Sequence, residues 1–306
     1  STAQNNVEEY DGTSWAAETV LNTARGEGVG ASGTTAAGLA FGGNTPGGDT
    51  GATELWNGST WTEKGDLNTA SQALSGVGTT TASLAFGGTP PPTGSTRTES
   101  WDGTSWSEVG TLNAARVWGG SSGIQTAALY YGGYTSSVVD YCDSWDGSTW
   151  SVGTVLNTAR YLLGGSVSGT NLAALASGGS LPPSTIATEE WTLTPATVSV
   201  AQPGQVWYNT TSTVLKGFGA LGSSVWSSGD NLTTARGQYM VGAGSKGAGL
   251  VAGGRPATAT VGTGDTEEYD GSSWSEKSNM NTGKRECGGL GTVNTAALAA
   301  GGYSTP

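Results

Sequence analysis

The sequence predicts an all-β fold, a six-bladed β-propeller of four-stranded blades, and three observations predict it. One pattern recurs six times along 306 residues, with a period of about 45 residues, the range of propeller blades. Gly is abundant, with 53 residues, and Thr, Ser and Asn fill the stretches between short apolar runs, as in a protein of many tight turns. The chain also begins and ends in the middle of the pattern, so its two ends can complete one shared blade.

Each copy opens on an acid, any residue and an aromatic; the acids are Glu8, Glu54, Glu99, Asp143, Glu189 and Glu267. This segment reads as the third strand of a blade, and a period of two puts acid and aromatic on one face. An Asp-Gly or Asn-Gly turn follows, as in Tyr10-Asp11-Gly12 and Trp56-Asn57-Gly58, a hairpin signal because its central positions need positive φ. The fourth strand begins at Trp15, Trp61, Trp106, Trp150, Trp226 or Trp274. A Leu-Asn-Thr-Ala-Arg segment then leads into the first strand, placing Arg25, Ser71, Arg116, Arg160, Arg236 or Lys284 at its start, near the central channel. The second strand is an Ala/Leu run ending in a Gly pair, from Gly42-Gly43 to Gly301-Gly302.

Six third-and-fourth pairs and six first-and-second pairs are present, so pairing residues 295–300 with the N-terminal hairpin closes the ring and leaves few open edges. Residues 1–306 therefore form one domain. The fifth copy departs from the pattern, because Trp191 and Trp226 stand about thirty residues too far apart. The extra piece, 192–225, reads as an inserted β-hairpin on the face of the third-to-fourth-strand turns.

Composition excludes several functions. With 24 acids, 12 bases and a net charge of −12, the chain lacks the clustered cations that nucleic acid or an anionic membrane requires. No run of eighteen apolar residues is present, so no membrane insertion by a helix is expected. With no histidine, Ser-His-Asp and Cys-His catalysis and imidazole-ligated zinc or copper are excluded. Single Asp residues per turn fall short of a calcium cage, so no cofactor and no metal are expected. Cys142 and Cys287 sit at different repeat positions, which reads as two unrelated thiols. The start at Ser1-Thr2-Ala3, without Met, points to a processed chain or part of a longer one.

The recurring residues admit two readings. The bases could form an anion or sugar-acid site around the channel, or each could pair with a repeated acid where both are partly buried. A dedicated site should break the repeat, and these positions obey it, so Arg25, Arg116, Arg160 and Arg236 and the acids are expected to build blades, as are the repeated Trp residues. Trp118 and Trp207 stand outside the repeat. Trp118 is expected at the channel or a neighbouring blade, and Trp207 with Tyr208 either forms the small core of the inserted hairpin or contacts a partner. The loops after each Gly pair (44–52, 89–97, 134–141, 180–187 and 255–265) vary in content and length, lie on the face opposite the insertion, and are the natural place for recognition.

The Gly pair, following aromatic and Trp resemble the kelch repeat over essentially the whole chain outside the insertion. Kelch-type copper oxidases use histidine ligands, which this chain lacks, so that activity is not implied. Turns such as Ser144-Trp145-Asp146-Gly147-Ser148-Thr149-Trp150 resemble the Asp box of sialidases but have one residue fewer between Asp and Gly. The phrasing Glu-Glu-Tyr-Asp-Gly-Thr-Ser-Trp and Leu-Asn-Thr-Ala-Arg resembles repeat proteins of tailed phages from aquatic environments. Residues 204–211 are similar to short modules of phage structural proteins. These resemblances imply a non-catalytic structural or adhesive module of a phage particle, a capsid decoration or a tail or fibre part. Its expected place is virion or extracellular, assembly-bound, with other virion proteins or a host surface glycan or protein as partner. Two alternatives follow from the same features: a carbohydrate-active enzyme with paired carboxylates in the channel, and a cellular kelch-type adaptor.

Overall fold

The computed structural model describes residues 2–89, 94–166, 171–181, 184–194, 206–209, 214–217, 223–237, 240–256 and 261–304. Within them all regular structure is β, and six four-stranded antiparallel sheets stand in a ring. Blades are numbered here by the order of their outermost Trp. Blade 1 comprises Gly288–Val293, Ala296–Ala300, Val7–Tyr10 and Trp15–Glu18, so its inner pair comes from the end of the chain and its outer pair from the beginning. The seam is a four-residue ladder from Val7 opposite Ala300 to Tyr10 opposite Ala297. Blade 2 is Gly30–Thr34, Ala37–Phe41, Thr53–Trp56 and Trp61–Lys64; blade 3 is Leu74–Gly78, Ser83–Gly87, Thr98–Trp101 and Trp106–Glu108. Blade 4 is Gly120–Ile124, Ala127–Tyr131, Cys142–Trp145 and Trp150–Val152. Blade 5 is Gly164–Gly165, Ala173–Ser177, Thr188–Thr194 and Ser223–Ser228, and blade 6 is Val241–Ser245, Ala248–Ala252, Thr266–Tyr269 and Trp274–Lys277.

The core is six separate clusters, one at each blade junction. Between blades 2 and 3, for example, Leu39 and Phe41 meet Leu67, Leu74, Trp101 and Trp106, and Phe41 sits edge-on to Trp106 with ring centroids 4.8 Å apart. A blade has two apolar faces and must bury both against neighbours, which is why a ring rather than a single sheet satisfies the pattern.

The innermost strands are built of Gly, Ala and Ser because six of them converge on the axis. A Cβ on Gly242 of blade 6 would stand 2.1 Å from the Gly165 carbonyl oxygen of blade 5. The Gly pair has a similar reason. Gly42 and Gly43 have φ of 67° and 98°, and the Gly43 N–H donates at 2.8 Å to the carbonyl of Ser71 in the lead-in of the next blade. A Cβ on Gly42 would lie 2.7 Å from that same oxygen.

The third and fourth strands of blade 5 run further than the repeat predicts. Thr192 pairs with Val225, Leu193 with Ser224 and Thr194 with Ser223, so these residues extend the blade and the inserted segment is shorter than 192–225. Inside it, Val206–Asn209 pairs antiparallel with Val214–Gly217. Trp207 and Tyr208 fall on the first of these strands, and their side chains lie outside the described residues.

Candidate functional site

The repeated charges are spent inside the blades. Arg25 reaches Glu54 at 2.6 Å with both side chains fully buried, Arg116 reaches Asp143 at 2.6 Å, and Arg160 reaches Glu189 at 2.7 Å. Arg236 pairs with Glu267, and Lys284 with Glu8 at 3.3 Å. Each base leads into a blade and turns away from the axis toward the third strand of that same blade. It therefore lies near the channel in sequence order, yet the channel wall contains no charged residue among the described residues. Burial pushes the Arg25 and Arg160 guanidinium groups down, and the facing Glu54 and Glu189 carboxylates oppose that.

The rest of the Leu-Asn-Thr-Ala-Arg segment completes the same lock. Its Leu is buried, and its Asn and Thr backbone N–H groups donate to the carboxylate, as Asn22 and Thr23 do to Glu54 at 2.7 and 3.1 Å. The Asn amide donates to the carbonyl of the outermost Trp, Asn22 to Trp61 at 3.2 Å. Outside blade 3 each buried carboxylate thus has a cation and at least one N–H donor from the lead-in segment, for Asp143 the Asn113 amide at 2.7 Å, the arrangement in which a buried charge is tolerated. In blade 3 the base is replaced by Ser71, which pairs with Thr89 at 3.2 Å, and among the described residues Glu99 is held by the Asn68 N–H, the Asn68 amide and the Thr69 N–H.

The Trp residues are locked at the junctions. Trp106 donates its indole N–H to Thr53 of the preceding blade at 3.0 Å; Trp150 does so to Thr98, Trp274 to Thr188 and Trp15 to Thr266. Blade 1 carries Val7 at the threonine position, and Trp61 donates instead to the Thr19 carbonyl. Blade 4 carries Cys142 there. The Trp226 indole meets that thiol and finds no oxygen acceptor among the described residues.

One set of departures from the repeat lies on the face of the variable loops, at the channel mouth. Two residues after each base the backbone enters the left-handed region: Glu286 (φ 60°), Glu27 (53°), Ala73 (58°), Trp118 (61°) and Leu162 (57°) in blades 1 to 5. This conformation is forced by a backbone ring running from blade to blade. Ala73 N–H donates to the Glu27 carbonyl at 2.7 Å, Trp118 to Ala73 at 3.2 Å and Leu162 to Trp118 at 2.8 Å, while Gly28 donates to Glu286 at 3.4 Å. The sixth equivalent, Gln238, lies outside the described residues.

The side chains on this ring differ around the circle. On blades 4 and 5, Trp118, Tyr134 and Tyr161 form a three-ring cluster, with centroids 5.9 Å apart for Trp118–Tyr134, 5.8 Å for Trp118–Tyr161 and 5.6 Å for Tyr134–Tyr161. All three are half-buried. Trp118 thus turns to the neighbouring blade. On blades 1 and 2, the opposite side of a six-membered ring, Glu27 and Glu286 are close enough to repel. Burial, then Glu27, pushes the Glu286 carboxyl up, against Arg285, which donates to it at 2.5 Å. Burial and the nearby Glu27 and Glu286 carboxylates push the Tyr303 phenol up to about 12.

Trp118 and the loops stand out in the sequence, whereas Tyr161, Glu27, Glu286, Arg285 and Tyr303 do not. The only signal is a variable stretch just after the base, where the second position reads Glu27, Ala73, Trp118, Leu162, Gln238 and Glu286 and its flanking residues vary as well. The channel below the mouth, walled by residues such as Ala31, Gly76, Ser121, Gly165 and Gly242, leaves roughly 60 Å³ for solvent.

No protein-family model matches the chain, and no curated protein matches it by sequence. Its fold is similar to the solved structure of YjhT, with a TM-score of 0.68 over 94% of this chain and 93% of that one. Identity between the two is 10%, a likeness of fold alone.

Proposed function

We propose that the chain is a non-catalytic structural or adhesive propeller module of a phage particle, a capsid decoration or a tail or fibre part, that works through its loop face. One observation carries the non-catalytic part. The recurring acids and bases are consumed by internal pairing, as in Arg25–Glu54 and Arg160–Glu189, while Glu27, Trp118 and Glu286, which differ from blade to blade, share the loop face, where a rigid scaffold presents recognition groups. The phage setting rests on the phrasing of the repeat, which resembles kelch-type and phage repeat proteins. Its partners are other virion proteins or a host surface glycan or protein. Mass spectrometry and immunogold labelling of purified particles test the setting, and finding the chain only free in lysates sinks it.

A second reading has its own observation. Glu27 and Glu286 meet where blade 1 joins blade 2 and offer two neighbouring carboxyls of the kind a glycosidase uses, although at the mouth rather than within the channel. It predicts release of reducing sugar from an oligosaccharide, abolished in Glu286→Gln; no release from any glycan that the protein binds ends it.

A further inference from the structure

We propose that the channel mouth on the loop face is a binding site for a short neutral oligosaccharide, one pyranose ring lying on the Trp118–Tyr134–Tyr161 cluster and neighbouring hydroxyls meeting the Glu27 and Glu286 carboxylates. The inference deepens the adhesive reading given above and rests on it for its biological setting, though not for its chemistry.

Trp118 is the first reason. A bulky aromatic in the left-handed region is uncommon and carries a steric cost, and Ala73 shows that the backbone position itself does not ask for one. The backbone ring imposes this conformation whatever the residue, so an indole where alanine suffices points to use of the side chain. Its indole is half-buried against tyrosines from two adjacent blades, which offers a broad amphipathic surface for the C–H face of a sugar.

The polar side of the mouth supplies the second. Glu286 accepts from the Arg285 guanidinium at 2.5 Å, Glu27 lies beside it, and Arg285 stands 5.6 Å from the ring centre of Tyr303. Acceptors and donors side by side suit vicinal hydroxyls. Two carboxylates facing Arg285 and Arg255 leave little net charge at the mouth, and the chain as a whole carries −12, so an acidic sugar or phosphate would be repelled rather than drawn in.

Geometry supplies the third. The channel offers about 60 Å³, well short of the roughly 150 Å³ of a cavity that admits benzene, so a ligand rests across the mouth instead of descending. The backbone ring through Glu27, Ala73, Trp118 and Leu162 fixes the aromatic wall before binding and lowers the ordering cost. A plain hydrophobic plug between blades 4 and 5 would explain the three rings but not the carboxylate and guanidinium constellation across from them.

The test is an array of immobilised neutral gluco-, galacto- and manno-configured oligosaccharides, followed by calorimetry of the strongest binder with the whole chain. Binding to at least one neutral oligosaccharide is expected, weakened about tenfold or more in Trp118→Ala and several-fold in Glu286→Gln. Melting temperatures should stay close to that of the parent, because Ala73 already occupies the equivalent backbone position. If Trp118→Ala fails to fold, Trp118→Leu, with the residue that blade 5 carries at this position, takes its place. Retention of acidic glycans only, of none, or undiminished binding by the folded Trp118 variant overturns the proposal. Sugar binding without incorporation into particles would leave this site standing and remove the virion reading; incorporation without sugar binding would do the reverse.

Discussion

Tyr269 donates its hydroxyl to the Glu190 carboxylate at 2.6 Å across the junction of blades 5 and 6. Blades 2 to 5 have Trp at this position, and its indole serves the hairpin of its own blade, as Trp56 does with the Thr35 carbonyl at 2.6 Å. The two blades with Tyr instead follow blades that offer a glutamate: Tyr269 meets Glu190, and Tyr10 meets Glu268 at 3.1 Å. The substitution on one blade is matched by an acceptor on its neighbour. Tyr269→Phe should therefore cost about 1.5 kcal/mol, the worth of a hydrogen bond to a charged group, and Glu190→Gln should couple to it in a double-mutant cycle. Additive losses in denaturant titrations would show that the pair is not coupled.

The buried ion pairs predict larger losses. Arg25→Ala leaves Glu54 fully buried with only the Asn22 and Thr23 backbone N–H donors, and the expected cost is about 3–5 kcal/mol. Chemical denaturation measures it, and a loss under about 1 kcal/mol would mean that the lead-in segment alone satisfies the carboxylate, as in blade 3.

The junction of blades 4 and 5 can be improved. Cys142→Thr places a hydroxyl where Trp15, Trp106, Trp150 and Trp274 already find one, and should add about 1 kcal/mol by giving the Trp226 N–H an acceptor. A lower melting temperature in the variant would mean that the thiol fills its site better than a threonine does.

Alkaline pH should weaken the fold through both thiols. Burial pushes Cys142 up to about 12 and Cys287 up to about 11, whereas an unfolded thiol ionises near about 8.5. The folded chain keeps these protons longer, so their contribution is whole below about pH 8.5 and is lost as pH rises toward the folded values. Denaturation midpoints should fall between pH 8.5 and 11, and neither thiol should react with Ellman's reagent at pH 7.5 until the chain unfolds. Fast labelling of the native protein would refute the burial.

Much of the architecture is local and therefore readable along the chain. The spacing of Asp-Gly turns, Gly pairs and Trp residues sets strand order and blade number, because each blade solves the same problem with the same residues. Even the internal pairing of Arg25 with Glu54 follows from register, since both recur with one period. The reach of blade 5 into 192–194 and 223–225 was hidden, because nothing in Thr192-Leu193-Thr194 separates a lengthened strand from the start of an insertion.

The mouth was hidden for a different reason. Glu27 and Glu286 stand at opposite ends of the chain and become neighbours only where blade 1 meets blade 2; Trp118, Tyr134 and Tyr161 come together only because blade 5 packs on blade 4. The sequence by itself determined the blades, through short-range periodicity and turn chemistry. Tertiary structure alone decided which odd residues share a surface, because closing the ring converts distance along the chain into adjacency around an axis.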